Sequence, residues 1–219
     1  PYILFDTIKA NLFAGNQPNM ELWDTLAGII PFYQKNFGID GARIDMGHAL
    51  PRELLDMIIS EAKKNDSDFA FIAEELNTDN AAKAKELGYN IIIGNGFWME
   101  PRIWEKKFHK FVYGAKDIAL PMFACAETHD TARIAGREGG KRLARMVTAL
   151  NMLLPNLVPF INSGQEVYEV QPMNTGVDCT DKDKVNLPKE DLFYGKLALF
   201  DKVAFHYMAP DRWELADHL

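Results

Sequence analysis

The chain has 219 residues, of which 47% are hydrophobic and 11% aromatic, a composition that fills the core of a globular domain and is too apolar for a disordered chain. Its formal net charge of −7 argues against nucleic acid or an anionic membrane as the main partner, because both attract clustered Lys and Arg side chains. The two cysteines, Cys125 and Cys179, have neither metal-ligand spacing nor a disulfide framework, which favours a reducing, cytoplasmic compartment.

Apolar patterning along the chain predicts short strands that alternate with helices. Strands are expected over residues 38–45, 69–73, 89–93, 122–126 and 157–161. Helices are expected over residues 20–37, 51–64, 80–87, 101–113, 141–154 and 193–207. Pro31 is expected to kink or split the first helix, because proline removes a helical hydrogen bond. This alternation is typical of βα units on a parallel sheet, so the predicted fold class is α/β.

Polar residues follow the predicted strands at their carboxyl ends. Asp45 ends the first strand, Glu74 follows the second, and the pair His129–Asp130 follows the fourth. Arg43, two residues before Asp45, points to the same side of its strand, where a guanidinium favours a charged carboxylate. The carboxyl ends of parallel strands form one rim, which carries the active site in barrels and doubly wound sheets. These side chains are therefore expected to lie together.

Each of these residues also has a structural interpretation. Asp45 could cap a helix or form a structural ion pair with Arg43. Glu75 is interpreted as a solvated residue that starts a loop, and Gln165–Glu166 could hold a loop in place. A lone histidine such as His48 is more often a packed or capping residue than a functional one.

Three carboxylates on three strand ends suit the cleavage of glycosidic bonds. One attacks the anomeric carbon, and a second protonates the leaving oxygen and later activates the acceptor. The third stabilises positive charge on the sugar and, by its proximity, raises the pKa of the acid. The conjunction therefore favours a carbohydrate-active enzyme over unrelated structural carboxylates.

Four segments, in order along the chain, resemble motifs of the α-amylase superfamily, glycoside hydrolase family 13. Gly41-Ala42-Arg43-Ile44-Asp45 is similar to the Gly-x-Arg-x-Asp pattern of the nucleophile strand, the fourth of a (β/α)8 barrel. Ile72-Ala73-Glu74 resembles the strand-five motif, with Ala73 in place of the usual glycine. Glu127-Thr128-His129-Asp130 resembles the Glu-Asn-His-Asp of strand seven, and Gly164-Gln165-Glu166 resembles the Gly-x-Glu after strand eight.

The resemblance implies a role for each candidate residue. Asp45 is implied to be the catalytic nucleophile, Glu74 the general acid/base, and Asp130 the group that stabilises the transition state. Arg43 is implied to orient Asp45, and His129 to bind hydroxyl groups of the donor sugar. No cofactor is needed for this chemistry, and a structural calcium ion is compatible with the family.

Within the superfamily, the chain most resembles maltosyltransferases, which move maltosyl units between α-1,4-glucans. The resemblance rests on Asp40–Pro51, the Glu74-Glu75 doublet and residues 165–174. It implies an α-1,4-glucan or maltooligosaccharide as the partner and a retaining, double-displacement reaction. The segment His48-Ala49 stands where many amylases carry a Lys-His pair, so the acceptor site of a common hydrolase is not implied for this chain. His48 is nevertheless a candidate substrate-binding residue.

The same resemblance implies a partial (β/α)8 TIM barrel with a parallel sheet. The strand-three motif of the family, an Asp followed by Asn-His, does not occur before Gly38, and a closed barrel typically takes ~250 residues. Residues 1–219 are therefore expected to be the C-terminal part of a catalytic barrel domain, about strands four to eight with their helices, without its N-terminal strands. Such a fragment is expected to have little activity on its own.

Two alternatives stay open. One is an α-amylase-type hydrolase of α-1,4-glucans, in which water instead of a sugar hydroxyl reaches the covalent intermediate. The other is a non-catalytic carbohydrate-binding or inactive barrel fragment, because half a barrel exposes two sheet edges. A phosphate-handling α/β protein is disfavoured, since no Gly-rich loop with a basic partner opens a helix. No oligomeric state is predicted.

Overall fold

A computed structural model describes residues 16–96, 107–170, 188–191, 194 and 216–218. Contacts divide the chain into two compact units, residues 1–94 with 118–122 and residues 95–117 with 123–219. Several predicted features lie outside the described residues: Cys179, residues 101–106 of the helix predicted over 101–113, residues 171–174, and all but Tyr194 of the helix predicted over 193–207. Within the described ranges, no helix is both long and apolar enough to cross a membrane.

The first unit is built from alternating helices and strands. In chain order its described elements are α1 (Met20–Phe37), β1 (Gly41–Ile44), α2 (Arg52–Asn65), β2 (Ala70–Ala73), α3 (Ala81–Glu86) and β3 (Ile91–Ile92). Short 3-10 helices occupy Gly47–Ala49 and Thr78–Asn80. The strand-then-helix order predicted from the apolar pattern is confirmed in this unit.

The second unit continues the alternation. Its described elements are α4 (Lys107–Gly114), β4 (Met122–Ala124, whose first residue belongs to the first unit), α5 (Gly140–Leu153) and β5 (Leu157–Pro159). Among the 3-10 helices in its described ranges, Ile134–Gly136 follows β4 and Gln165–Val167 follows β5.

The five strands form one sheet in which their order follows the chain, β1-β2-β3-β4-β5. The pairings of β1 with β2, β2 with β3 and β3 with β4 are parallel. Parallel neighbours that are consecutive in sequence require helical crossovers, which is the arrangement of a βα barrel. The α/β prediction with a parallel sheet is therefore confirmed.

Local sequence signals account for the long helices of the first unit. The Asn19 side chain accepts a hydrogen bond from the Leu22 N–H at 3.2 Å and caps α1, which ends at the left-handed Gly38 (φ +63°). Of the two outcomes expected at Pro31, the split is wrong, because α1 continues through that residue, and the kink stays a prediction. Gln34 in the last turns of α1 donates to the carbonyl of Ala62 in α2 at 3.0 Å, so packing on α2 supports this half of the helix.

Each unit has its own apolar core. In the first, Phe71, Ile92 and Met122 are completely buried on the sheet, and α2 has a buried face formed by Leu54, Leu55, Ile58 and Ala62. The second has a cluster of buried residues, Ala126, Ile134, Ala144, Val147 and Tyr168. These cores fix the strand ends from which the candidate site residues project.

Candidate active site

Arg43 joins two carboxylates at the ends of neighbouring strands. β1 and β2 pair in parallel and end level with each other, so Asp45 and Glu74 leave the sheet side by side. Arg43 Nη1 lies 2.8 Å from Asp45 Oδ1, and Arg43 Nη2 lies 3.0 Å from Glu74 Oε1. The Asp45 side chain is 73% exposed and that of Glu74 is 18% exposed. The structure thus brings these three predicted site residues together in the first unit.

The turn after Asp45 gives Glu74 a second hydrogen bond. Met46 has a left-handed backbone (φ +45°), which is unusual for a residue other than glycine, and its N–H donates to Glu74 Oε2 at 2.7 Å. The Met46 carbonyl accepts from the Ala49 N–H at 2.8 Å, which closes the turn. Both oxygen atoms of the Glu74 carboxylate therefore have fixed donors.

The surroundings of Glu74 suit a general acid. Burial raises the pKa of its carboxyl group above the ordinary value, and the neighbouring Asp45 raises it further. The Met46 N–H and the Arg43 charge act in the opposite direction but do not cancel the effect of burial. A raised pKa keeps more of the carboxyl protonated near neutral pH, as proton donation to a leaving group requires.

A cavity of about 250 Å³ lies beside Glu74. It is lined by Gly47, His48, Ala73, Glu74, Glu75, Asn80, Lys83, Ala84, Leu87 and Tyr89. The exposed His48 therefore lies near the predicted acid/base, as its candidate role in substrate binding requires. That role itself stays a prediction.

Gly47 and Tyr89 are in close contact at this cavity. A β-carbon on Gly47 would lie 2.0 Å from the Tyr89 hydroxyl oxygen, so only glycine fits there without movement of the tyrosine. Tyr89 is 4% exposed, and its hydroxyl has no hydrogen-bond partner among the described residues. Burial raises the pKa of this hydroxyl to about 12.

Glu75 stabilises the loop after β2. Its carboxylate accepts hydrogen bonds from the Asn77 N–H at 2.7 Å and from Asn80 Nδ2 at 3.1 Å. The β-strand pairing is extended by the Glu75 carbonyl, which accepts from the Gly94 N–H at 2.9 Å. These contacts support the interpretation of Glu75 as a loop residue and separate it from its neighbour Glu74.

His129 and Asp130 lie together in the second unit, on the turn after β4. His129 Nε2 is 3.2 Å from Asp130 Oδ2, and the Asp130 N–H donates to the Thr128 hydroxyl at 3.1 Å. The Thr128 N–H in turn donates to the Thr131 hydroxyl at 2.9 Å. The turn is thus held by its own hydrogen bonds. Whether these two residues act with Asp45 stays a prediction.

A buried ion pair begins this turn, formed by Glu127, the first residue of the strand-seven motif, and Arg133, which the sequence analysis did not single out. Glu127 and Arg133 are 0% and 1% exposed at their side chains, and Arg133 Nη1 donates to Glu127 Oε1. The same oxygen accepts from Asn162 Nδ2 at 2.9 Å, and Oε2 accepts from the Ile134 N–H at 2.7 Å. Burial raises the pKa of Glu127, although its three donors lower it in part. The sequence feature that could have indicated this ion pair is the presence of two opposite charges, Glu127 and Arg133, on either side of His129–Asp130.

Gln165 and Glu166 fix the loop after β5. The buried Gln165 donates from Nε2 to the Thr148 hydroxyl at 2.9 Å, and its Oε1 accepts from the Asn162 N–H at 3.4 Å. The Glu166 carboxylate accepts from the Gly164 N–H at 2.8 Å. The interpretation that this pair holds a loop is consistent with all these contacts.

The part of the chain that the structure describes contains no candidate metal site. There, no group of three or more His, Cys, Asp and Glu side chains is arranged to hold an ion. The structural calcium ion compatible with the family stays a prediction without assigned ligands.

Solved structures with a similar fold include two α-amylases and a cyclic maltosyl-maltose hydrolase. An α-amylase from Geobacillus thermoleovorans, complexed with acarbose, is 17% identical with a TM-score of 0.55; the match covers 70% of this chain and 38% of that one. A cyclic α-maltosyl-(1→6)-maltose hydrolase from Arthrobacter globiformis is 18% identical with a TM-score of 0.61, over 72% and 38% of the two chains. An α-amylase from Anoxybacillus is 18% identical with a TM-score of 0.58, over 84% and 41%.

These matches concern the fold. The described fold is that of a partial (β/α)8 barrel. The chain spans about two fifths of the length of the solved structures that it matches. Sequence comparison finds no matching family model and no matching curated protein.

Proposed function

We propose that the protein containing this chain is a retaining enzyme that transfers maltosyl or glucanosyl units between α-1,4-linked maltooligosaccharides. The observation that carries the proposal is the contact of one guanidinium, Arg43, with both Asp45 and Glu74 at the ends of adjacent strands. The exposed carboxylate is accessible for attack, and the more buried one has the raised pKa of a proton donor. Two carboxyl groups in these two environments are what glycoside chemistry requires.

The reaction has two steps that use the same two carboxyl groups. In the first, an Asp45 oxygen bonds to the anomeric carbon as the glycosidic bond breaks, and Glu74 gives its proton to the leaving oxygen. In the second, the Glu74 carboxylate takes a proton from an acceptor hydroxyl, whose oxygen displaces Asp45 and restores the original configuration. We assign to Asp130 the stabilisation of positive charge on the sugar, and to His129 and His48 the binding of its hydroxyl groups.

The identity of the acceptor separates transfer from hydrolysis. A maltooligosaccharide hydroxyl yields a new α-1,4-glucan, whereas water yields a shortened one, the outcome of the alternative α-amylase-type activity. The solved neighbours include complexes with acarbose and with maltose, which supports an α-glucan as the substrate class. The sequence resemblance to maltosyltransferases supports transfer. Because the chain spans about two fifths of its structural neighbours, we assign the activity to the full-length protein.

The test is to incubate the full-length protein with maltotetraose and separate the products by chain length. Longer and shorter products that differ by two glucose units are expected for maltosyl transfer. Products that are only shorter would indicate hydrolysis instead, and no product at all would contradict both activities and favour an inactive or carbohydrate-binding protein.

Two matched variants test the assignment of the acid/base. Glu74→Gln is expected to lower kcat by about 10²–10⁴-fold, because the amide cannot transfer the proton. The adjacent Glu75→Gln is expected to retain most of the activity, since that carboxylate bonds to the loop residues Asn77 and Asn80. The reverse pattern would assign the role to Glu75, and full activity of Asp45→Asn would contradict the glycosidic mechanism.

A further inference from the structure

The residues predicted to bind and stabilise the sugar stand on a turn with a buried base and an exposed tip. His129 at the tip is 51% exposed, whereas Glu127 and Arg133 at the base are 0% and 1% exposed. Hydrogen bonds within residues 128–131 keep the turn compact. They do not determine where the turn stands relative to the sheet, which depends on the contacts at its base.

The carboxylate of Glu127 makes three of these contacts. Glu127 Oε2 accepts from the Ile134 N–H at 2.7 Å, which closes the loop from Glu127 to Ile134 around the turn. Glu127 Oε1 accepts from Arg133 and from Asn162, the latter at 2.9 Å and on the loop after β5. Arg133 Nη1 also donates to the Ser163 carbonyl at 2.8 Å, so a second contact joins the two loops.

We propose that Glu127 is a positioning residue, whose buried carboxylate closes the loop that carries His129 and Asp130 and fixes it to the loop after β5. Removal of this carboxylate leaves the turn intact but frees its base, and Asp130 then moves relative to the sheet. Small displacements of a charged group from its productive position cost much of its effect on a transition state. The kinetic consequence rests on the proposed function, whereas the fixing of the loop does not.

The central variant is Glu127→Gln, which keeps the size of the side chain and removes its charge. In the 219-residue chain, the amides of Thr128, Asp130 and Ile134 are expected to exchange with solvent at least about tenfold faster than in the native chain, since the loop opens locally. In the full-length protein acting on maltotetraose, kcat is expected to fall at least about tenfold while KM changes less. The reason is that the displaced Asp130 loses its contact with the sugar in the transition state.

Thr148→Val is the matched control. It removes a buried hydrogen bond of the second unit, from Gln165 at 2.9 Å, and leaves every hydrogen bond to the Glu127 carboxylate in place. It is expected to lower the urea midpoint of unfolding while loop exchange and kcat stay at their native values. If Thr148→Val changed the loop amides or kcat as strongly as Glu127→Gln does, the role of Glu127 would be general stability and the proposal would be wrong.

A milder variant covers the case in which Glu127→Gln does not fold. Arg133→Lys keeps a positive charge beside Glu127 but replaces the guanidinium nitrogen Nη1, which donates to both Glu127 and the Ser163 carbonyl, with an ammonium group on a shorter side chain. A smaller increase in exchange at the same amides supports the proposal, and native exchange in every folded variant overturns it. If the full-length protein has no activity on maltotetraose, the proposed function fails, but the exchange measurements still decide whether Glu127 fixes the loop.

Discussion

Replacement of Gly47 by alanine is expected to destabilise the first unit, and the hydroxyl of Tyr89 is the cause. The new methyl group would lie 2.0 Å from that oxygen, which must withdraw by about 1.4 Å to reach an ordinary contact of 3.4 Å. Tyr89 is 4% exposed and Gly47 follows the turn that donates to Glu74, so neither side moves freely. Overpacking of this kind costs about 1–3 kcal/mol. The backbone at Gly47 is not left-handed, so the cost is steric alone.

Tyr89→Phe removes the oxygen that causes the clash and provides the decisive comparison. The single variant is expected to be neutral or stabilised by about 1 kcal/mol, because the buried hydroxyl has no partner among the described residues. Without the hydroxyl, the nearest ring atom is 3.3 Å from the new methyl group, a contact that small shifts relieve. The double variant should therefore recover most of the lost stability.

The assay is urea denaturation of the native chain, the two single variants and the double variant. A favourable coupling free energy of about 1–3 kcal/mol between the two substitutions is expected from the double-mutant cycle. Additive effects of Gly47→Ala and Tyr89→Phe would refute the steric argument, since they would show that the methyl group does not meet the hydroxyl.

Further predictions concern charge at the candidate site and packing in the core. Asp45→Asn is expected to lower the pKa of Glu74 and Arg43→Met to raise it, because the aspartate opposes ionisation of Glu74 and the guanidinium favours it. Carbon-13 NMR titration of the Glu74 carboxyl measures the direction of both pKa changes. A change in the opposite direction in either variant contradicts the arrangement. As the acid must be protonated, activity of the full-length protein should be lost as pH rises through the raised pKa of Glu74. A conservative change that reduces the burial of Glu74 should shift this loss of activity to lower pH. Phe71→Ala should lower the free energy of unfolding by about 3–5 kcal/mol. Tyr113→Ala should change it by no more than about 0.5 kcal/mol, because Tyr113 is 71% exposed. Equal losses in the two variants would show that Phe71 does not lie in the core.

Apolar periodicity predicted the helices of the described chain well because burial of one face determines where they form. The bounds of α1 agree with the prediction, residues 20–37, and α5 begins and ends one residue from its predicted bounds. The split expected as one outcome at Pro31 does not occur, and sequence alone does not show that packing on α2 supports the helix beyond that residue. Strands were found in the right places but are shorter than predicted, since the end of a strand depends on pairing with its neighbours.

The candidate site was predictable only in part. The pairing of Arg43 with Asp45 follows from their spacing on one strand, and the structure confirms it at 2.8 Å. The contact of Arg43 with Glu74 depends on the register of two strands that are distant in sequence, which no local pattern specifies. The left-handed turn at Met46 could not be predicted either, because methionine has no intrinsic preference for that conformation.

The conformation of Met46 leaves room for a gain in stability at a single position. A left-handed backbone at a long side chain costs of order 1–3 kcal/mol, and asparagine adopts it more readily. A search for thermostable variants should therefore select asparagine at position 46. The turnover rate should not depend on which side chain stands there, because the group that contacts Glu74 is the peptide N–H. Residue 46 is thus a place where this fold could gain heat resistance without any change in the chemistry of its carboxylates.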